Sequence, residues 1–97
     1  MSPNELNATT IALSVKQIRL ESEARNALDR NMHRIAYFKY RDVETLMTAA
    51  IDTLKETQIR ERKLRERVRI GYRIDKIAGK RADLRKVIGL LWLHGRS

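Results

Sequence analysis

Between Val43 and Leu54 the chain places Val43, Leu46, Met47, Ala50, Ile51 and Leu54 at steps of one, three and four residues. On a helix of 3.6 residues per turn that spacing winds every one of them onto a single stripe. A stripe of this kind must be buried against another element, which commits the chain to helix packing around a small core. Asp42 stands where it can cap the start of this helix. A second stripe runs through Leu20, Ala24, Ala27, Leu28, Met32 and Ile35, with Glu21 and Glu23 in a first turn where the helix dipole favours acids. Tyr37–Arg41 then reads as the connection between the two helices.

Other segments are less committed. Ser2-Pro3-Asn4-Glu5 reads as a helix start, with Ser as cap, Pro in the first helical position and Glu placed to reach back. Thr9–Leu20 alternates apolar and polar residues and is rich in β-branched ones, so a short strand is expected within it, although Leu6, Leu13 and Leu20 seven apart also suit a helix. Lys55–Arg67 can continue as a solvated helix held by Glu61–Arg65 and Glu66–Arg69 pairs. Val68–Asp75 alternates strictly, which suits a strand, while Ile70, Ile74 and Ile77 suit a helix that stops at Gly79. The helix is favoured here because both flanks look helical. Arg81–Leu93 is a final helix with Leu84, Val87, Ile88 and Leu91 as its apolar face and Gly95 past its end. The expected class is mostly α, with one short strand and two helices in the N-terminal half and a basic helical extension behind them. An all-α helical bundle is the alternative.

Charge divides the chain where secondary structure does not. Residues 1–56 hold eight Lys/Arg and eight Asp/Glu, whereas residues 57–97 hold thirteen against Glu61, Glu66, Asp75 and Asp83. The whole formal charge of +9 therefore sits in the last 41 residues, and the chain is expected to comprise a neutral dimerisation or core region (1–56) and a basic extension (57–97) in one folding unit. Solvated helix faces usually mix their charges, so this excess points to a polyanion such as nucleic acid. The candidate phosphate contacts are Arg60, Arg62, Lys63, Arg65, Arg67, Arg69, Arg73, Lys76, Lys80, Arg81, Arg85 and Lys86. Since Val68, Ile70, Tyr72, Ile74 and Ile77 are interleaved among these cations, one face of the segment should be buried and the other free.

The residues exclude much other chemistry. There is no Cys, hence no disulfide, thiolate zinc site or cysteine nucleophile, which agrees with a reducing cytoplasm. His33 and His94 lie far apart without a carboxylate at ligand spacing, and no phosphate loop or hydrolase motif is present. The acid pairs Glu21/Glu23 and Asp42/Glu44 are two apart and do not face one another on a helix. The chain is not expected to be an enzyme or to need a cofactor. Met1–Ala12 lacks a secretory pattern, and Val87–Leu93 is far short of the ~20 apolar residues a membrane span requires. A cytoplasmic protein without a membrane span is expected. With only 97 residues to build a core, self-association is expected too.

The run Gln17–Glu56 resembles the ribbon–helix–helix DNA-binding fold of Arc- and MetJ-type repressors. Gln17-Ile18-Arg19-Leu20 is similar to the family's strand, Glu23–Arg30 to its first helix, and Asp42–Leu54 to its second. The resemblance implies a homodimer whose strands pair in the major groove, with Gln17 and Arg19 reading base edges and Ile18 and Leu20 buried. It also implies that amides near Asp42 and Val43 hold a phosphate. Family members act as repressors, antitoxins or accessory factors of plasmid and phage DNA processing. The sequence thus leads to a small basic protein that binds nucleic acid, duplex DNA before RNA. The alternatives are a helical adaptor or inhibitor docking on an acidic protein surface, and an RNA-bound component of a larger particle.

Overall fold

In the computed structural model, which describes residues 3–96 with side chains over 15–94, three helices follow one another: α1 (Pro3–Asp29), α2 (His33–Arg60) and α3 (Leu64–Arg96). No strand occurs among the described residues. The helices run up, down and up, and α2 lies in the middle, packed against both neighbours. Paired residues fix the antiparallel directions. Lys39 of α2 meets Glu23 of α1, while His33 meets His94 and Glu44 meets Arg85 across the α2–α3 seam. The Cα envelope measures 51 × 21 × 14 Å, a long and thin shape set by helices of 28 and 33 residues.

The core is strung along α2 in three clusters. Ala36 packs with Ala27 and Leu91 at one end. Val43 and Met47 pack with Leu84 in the middle, where Leu20 closes in from α1. Ile51 and Leu54 pack with Ile70 and Ile74 at the other end. Ala24, Ala27 and Ala36 are buried on the α1–α2 seam, where side chains this small let two helices approach closely. The residues of α3 that turn toward α2 are Ile70, Ile74, Ile77, Arg81, Leu84, Ile88 and Leu91, none of them fully exposed. Their steps of four and three residues are the seam pattern of two antiparallel helices.

Several expectations change. Thr9–Leu20 belongs to α1 and forms no strand, because the seven-residue spacing of its leucines continues into Ala24 and Ala27 and outweighs a weak β preference. The helical Gln17–Leu20 has no ribbon geometry. Ile18, expected in the core, is 65% exposed, and Leu20 is half-buried. The first helix ends at Asp29, so Met32 and Ile35 lie outside its stripe, each 45% exposed. Tyr37–Arg41 is helical, and Asp42 sits inside α2 rather than at its start, so its neighbouring amides are spent on helix bonds and offer nothing to phosphate. Val68–Asp75 is helical as favoured, which turns Val68 and Tyr72 away from Ile70 and Ile74. Gly79 does not stop α3 and Gly95 lies within it. The expected cap Ser2 lies outside the described residues, while Pro3 opens α1.

The turn between α1 and α2 shows why its position was hard to read. Asn31 adopts the left-handed conformation with φ 59°. Its amide donates to Leu28 O at 2.9 Å, and that of Met32 donates to Ala27 O at 2.8 Å, which together close the helix in a Schellman motif. Asn tolerates this backbone better than any residue except Gly, whereas a β-branched side chain there is strained. Asn31→Gly is therefore expected to leave stability within about 0.5 kcal/mol, and Asn31→Val to lower it by about 1–2 kcal/mol. Urea unfolding followed by circular dichroism would measure both.

At the second turn Glu61 leaves α2 in an extended conformation, and its carboxylate accepts the amides of Arg62 and Lys63, each at 3.0 Å. Gln58 reaches across to donate its side-chain amide to Arg67 O at 3.0 Å. Gly71 leaves room for that amide, since a Cβ at this position would come within 3.1 Å of it. On the opposite seam the Lys39 ammonium donates to Glu23 at 2.7 Å, which holds the Glu23 carboxyl below its ordinary range, helped by Arg19. A depressed carboxyl stabilises the fold at neutral pH and loses that contribution as pH falls through its lowered value.

Candidate polyanion-binding surface

Because Leu64–Arg96 is one continuous helix, the basic run sorts by face. Arg65, Arg69, Arg73, Lys76 and Lys80 follow one another at steps of four, four, three and four residues, all exposed. At 100° per residue they fall within one narrow sector of the α3 surface, a ridge about 22 Å long. The ridge borders α1 without being covered by it, since α1 and α3 both pack on α2 and their backbones do not approach each other. Among the described residues Arg65, Arg73, Lys76 and Lys80 make no ion pair. Arg69 has one loose contact, 3.4 Å to Glu66 on the helix surface, which is worth a few tenths of a kcal/mol.

The remaining candidates are placed otherwise. Arg81 lies in the seam stripe, half-buried, and donates to Thr48 Oγ1 at 3.1 Å. Arg85 pairs with Glu44 at 3.1 Å. These two cations fasten α3 to α2, Arg85 against the Glu44 carboxylate and Arg81 through a neutral hydroxyl that leaves its charge uncompensated. Arg60 closes α2 with a 2.9 Å pair to Glu56. Arg62 and Lys63 stand exposed in the turn at the Arg65 end of the ridge. Arg67 and Lys86 are exposed on other faces of α3. The two residues that a ribbon would place on base edges lie on α1. The Gln17 side chain bonds to Glu21 at 3.2 Å, and Arg19 is exposed.

Between α1 and α3 runs an open groove of about 510 Å³, floored by Met47 and Leu84 and walled by Ile18 and Val87, with Gln17, Glu21, Lys80 and Asp83 at its rim. Lys80 thus belongs both to the ridge and to the groove rim. Sequence reasoning did not find this groove, because it depends on α1 being helical through Gln17 and Ile18. The two histidines, far apart in the chain, meet with ring centroids 4.3 Å apart. Among the described residues, however, no three or more His, Cys, Asp or Glu gather as a metal site would need. No helix among them is long and apolar enough to cross a membrane. No protein-family model matches the chain, and no curated protein or solved structure matches it.

Proposed function

We propose that this protein binds the phosphate backbone of nucleic acid, duplex DNA before RNA, along the Arg65–Lys80 ridge of α3. The observation that carries this reading is the alignment of five exposed cations on one sector of one helix, four of them without an ion pair among the described residues. Steps of three or four residues space the charges about 4.5–6 Å apart along the axis, between the ~3.4 Å rise of successive phosphates of one strand and the ~6.8 Å of alternate ones. An α-helix also has the width to enter a major groove. Gln17, which a ribbon would set on base edges, is bonded to Glu21 on α1, so the binding we propose is of the sequence-independent kind, set by charge and shape. Arg62 and Lys63 extend the ridge at one end.

Such binding releases counterions, and its dependence on salt is the test. With five phosphates neutralised, the logarithm of the binding constant should fall against the logarithm of salt with a slope of about −4.5, or roughly 500-fold from 50 to 200 mM. Fluorescence anisotropy on a labelled duplex would give the slope, and a slope shallower than about −2 would reject the ridge as a phosphate site. A second reading, an acidic protein surface, draws support from the same exposed cations of the ridge, which carboxylates would meet as phosphates do. Retention of a partner after nuclease treatment would favour that reading.

A further inference from the structure

The face of α3 turned away from α2 is patterned as carefully as the buried one. Leu64, Val68, Tyr72, Asp75, Gly79, Ala82, Lys86, Leu90 and Leu93 recur at steps of three and four residues, and all are exposed. Val68, Tyr72, Leu90 and Leu93 keep 51%, 73%, 67% and 60% of their surface in water. One scattered apolar residue on a surface is ordinary, but a row of them along a single helix face is the mark of a covered surface.

The row is close to palindromic. Val68 and Leu90 each stand eleven residues from Gly79, and Tyr72 and Lys86 each stand seven away. We propose that a second copy of this chain docks antiparallel on this face, with the two-fold axis passing at Gly79. That operation brings Val68 of each copy onto Leu90 of the other, and Tyr72 onto Lys86, a cation over an aromatic face. It also carries Lys76 of each copy beside Asp83 of the other, since these residues lie on the same flank of the row and three and four residues on opposite sides of Gly79. Asp75 and Asp83 each stand four residues from Gly79, so the same operation sets these two carboxylates at one level and leaves Lys76 between them as the cation that offsets both. Gly79 has nothing within 4 Å of where its Cβ would stand, so the crossing point is open to a close approach. The contact from Val68 to Leu90 is about 33 Å long. The Arg65–Lys80 ridge lies on the adjoining flank, so the pairing sets two ridges side by side and consumes only Lys76 from each. The inference does not depend on what the ridges bind.

The test is made on the full chain without nucleic acid. Sedimentation equilibrium at tens of micromolar should give a dimer, and Leu90→Glu, which alters an exposed position only, should give a monomer with an unchanged helical dichroism spectrum. Since the chain contains no Cys, Gly79→Cys introduces a single thiol, and facing thiols on the axis fall within disulfide reach. Mild oxidation should convert most of this variant to a covalent dimer, with Ile59→Cys, on exposed α2 surface, remaining mostly uncrosslinked. Lys76→Asp should weaken the dimer at least fivefold, and Lys76→Asp with Asp83→Lys should restore it. A monomeric wild-type protein overturns the proposal, as does a dimer that survives Leu90→Glu or one whose Gly79→Cys thiols do not bridge.

Discussion

Replacing Ile51 with Ala is expected to lower the unfolding free energy by about 2–5 kcal/mol. Ile51 is 2% exposed and packs with Leu54 from its own helix and with Ile70 and Ile74 from α3. The cavity left behind has little chance to close, because α2 is held on both sides and cannot shift toward one neighbour without leaving the other. A domain of this size has a total stability of about 5–15 kcal/mol, and one with a thin core lies toward the lower end. The variant should therefore unfold at a much lower urea concentration, or lack a folded baseline at 37 °C. Ile59→Ala is the control. Ile59 is on the same helix but 81% exposed, and its loss should change stability by no more than about 0.5 kcal/mol. If the two variants unfold alike, the α2–α3 seam is not where the helices meet.

The second large effect concerns the ridge. Arg69→Gln, Arg73→Gln and Lys80→Gln combined remove three cations from one sector of α3, while Arg34→Gln, Lys55→Gln and Arg67→Gln remove three exposed cations from elsewhere. Both triple variants change net charge equally. If the ridge lies on the phosphates, the first should reduce the salt slope by about 2.7 and weaken binding at 100 mM salt by roughly 100-fold or more, and the second should weaken it only a few-fold. Lys76 is left in place so that the self-association surface is not disturbed. Equal losses would mean that binding follows net charge alone and that the alignment of the five cations has no role.

The residues differ in how much they disclosed. The stripe from Val43 to Leu54 was legible and is buried at Val43, Met47, Ile51 and Leu54, because one uninterrupted apolar face leaves a helix a single way to pack. The boundary of the preceding helix was misplaced. Its stop is made by the backbone conformation of Asn31, with no Gly or Pro to announce it, and α2 begins without a capping side chain. Val68–Asp75 satisfied both periods, since Ile70 and Ile74 are four apart while Val68 and Tyr72 alternate with them. Only packing against Ile51 and Leu54 decides between the two. The same ambiguity hid the candidate site. Twelve cations in a run have no geometry until the element is known, and once it is a helix five align on one ridge while Arg81 and Arg85 turn to α2. The outer row of α3 was hidden for a related reason, as a helix with apolar residues on opposite sides has no single polar face to reveal it.

The central placement of α2 also governs how the molecule assembles. Close backbone contacts form only between helices that follow one another in the chain, joined by turns of three residues each, so each hairpin can zip up from its turn without the closing of a long loop. Topologies of low contact order reach the native state fast, and here either hairpin can form first on a shared middle helix. The same economy makes α2 a common point of failure: a lesion in its middle detaches both flanking helices together, whereas one in α1 or α3 leaves the other hairpin a route to form.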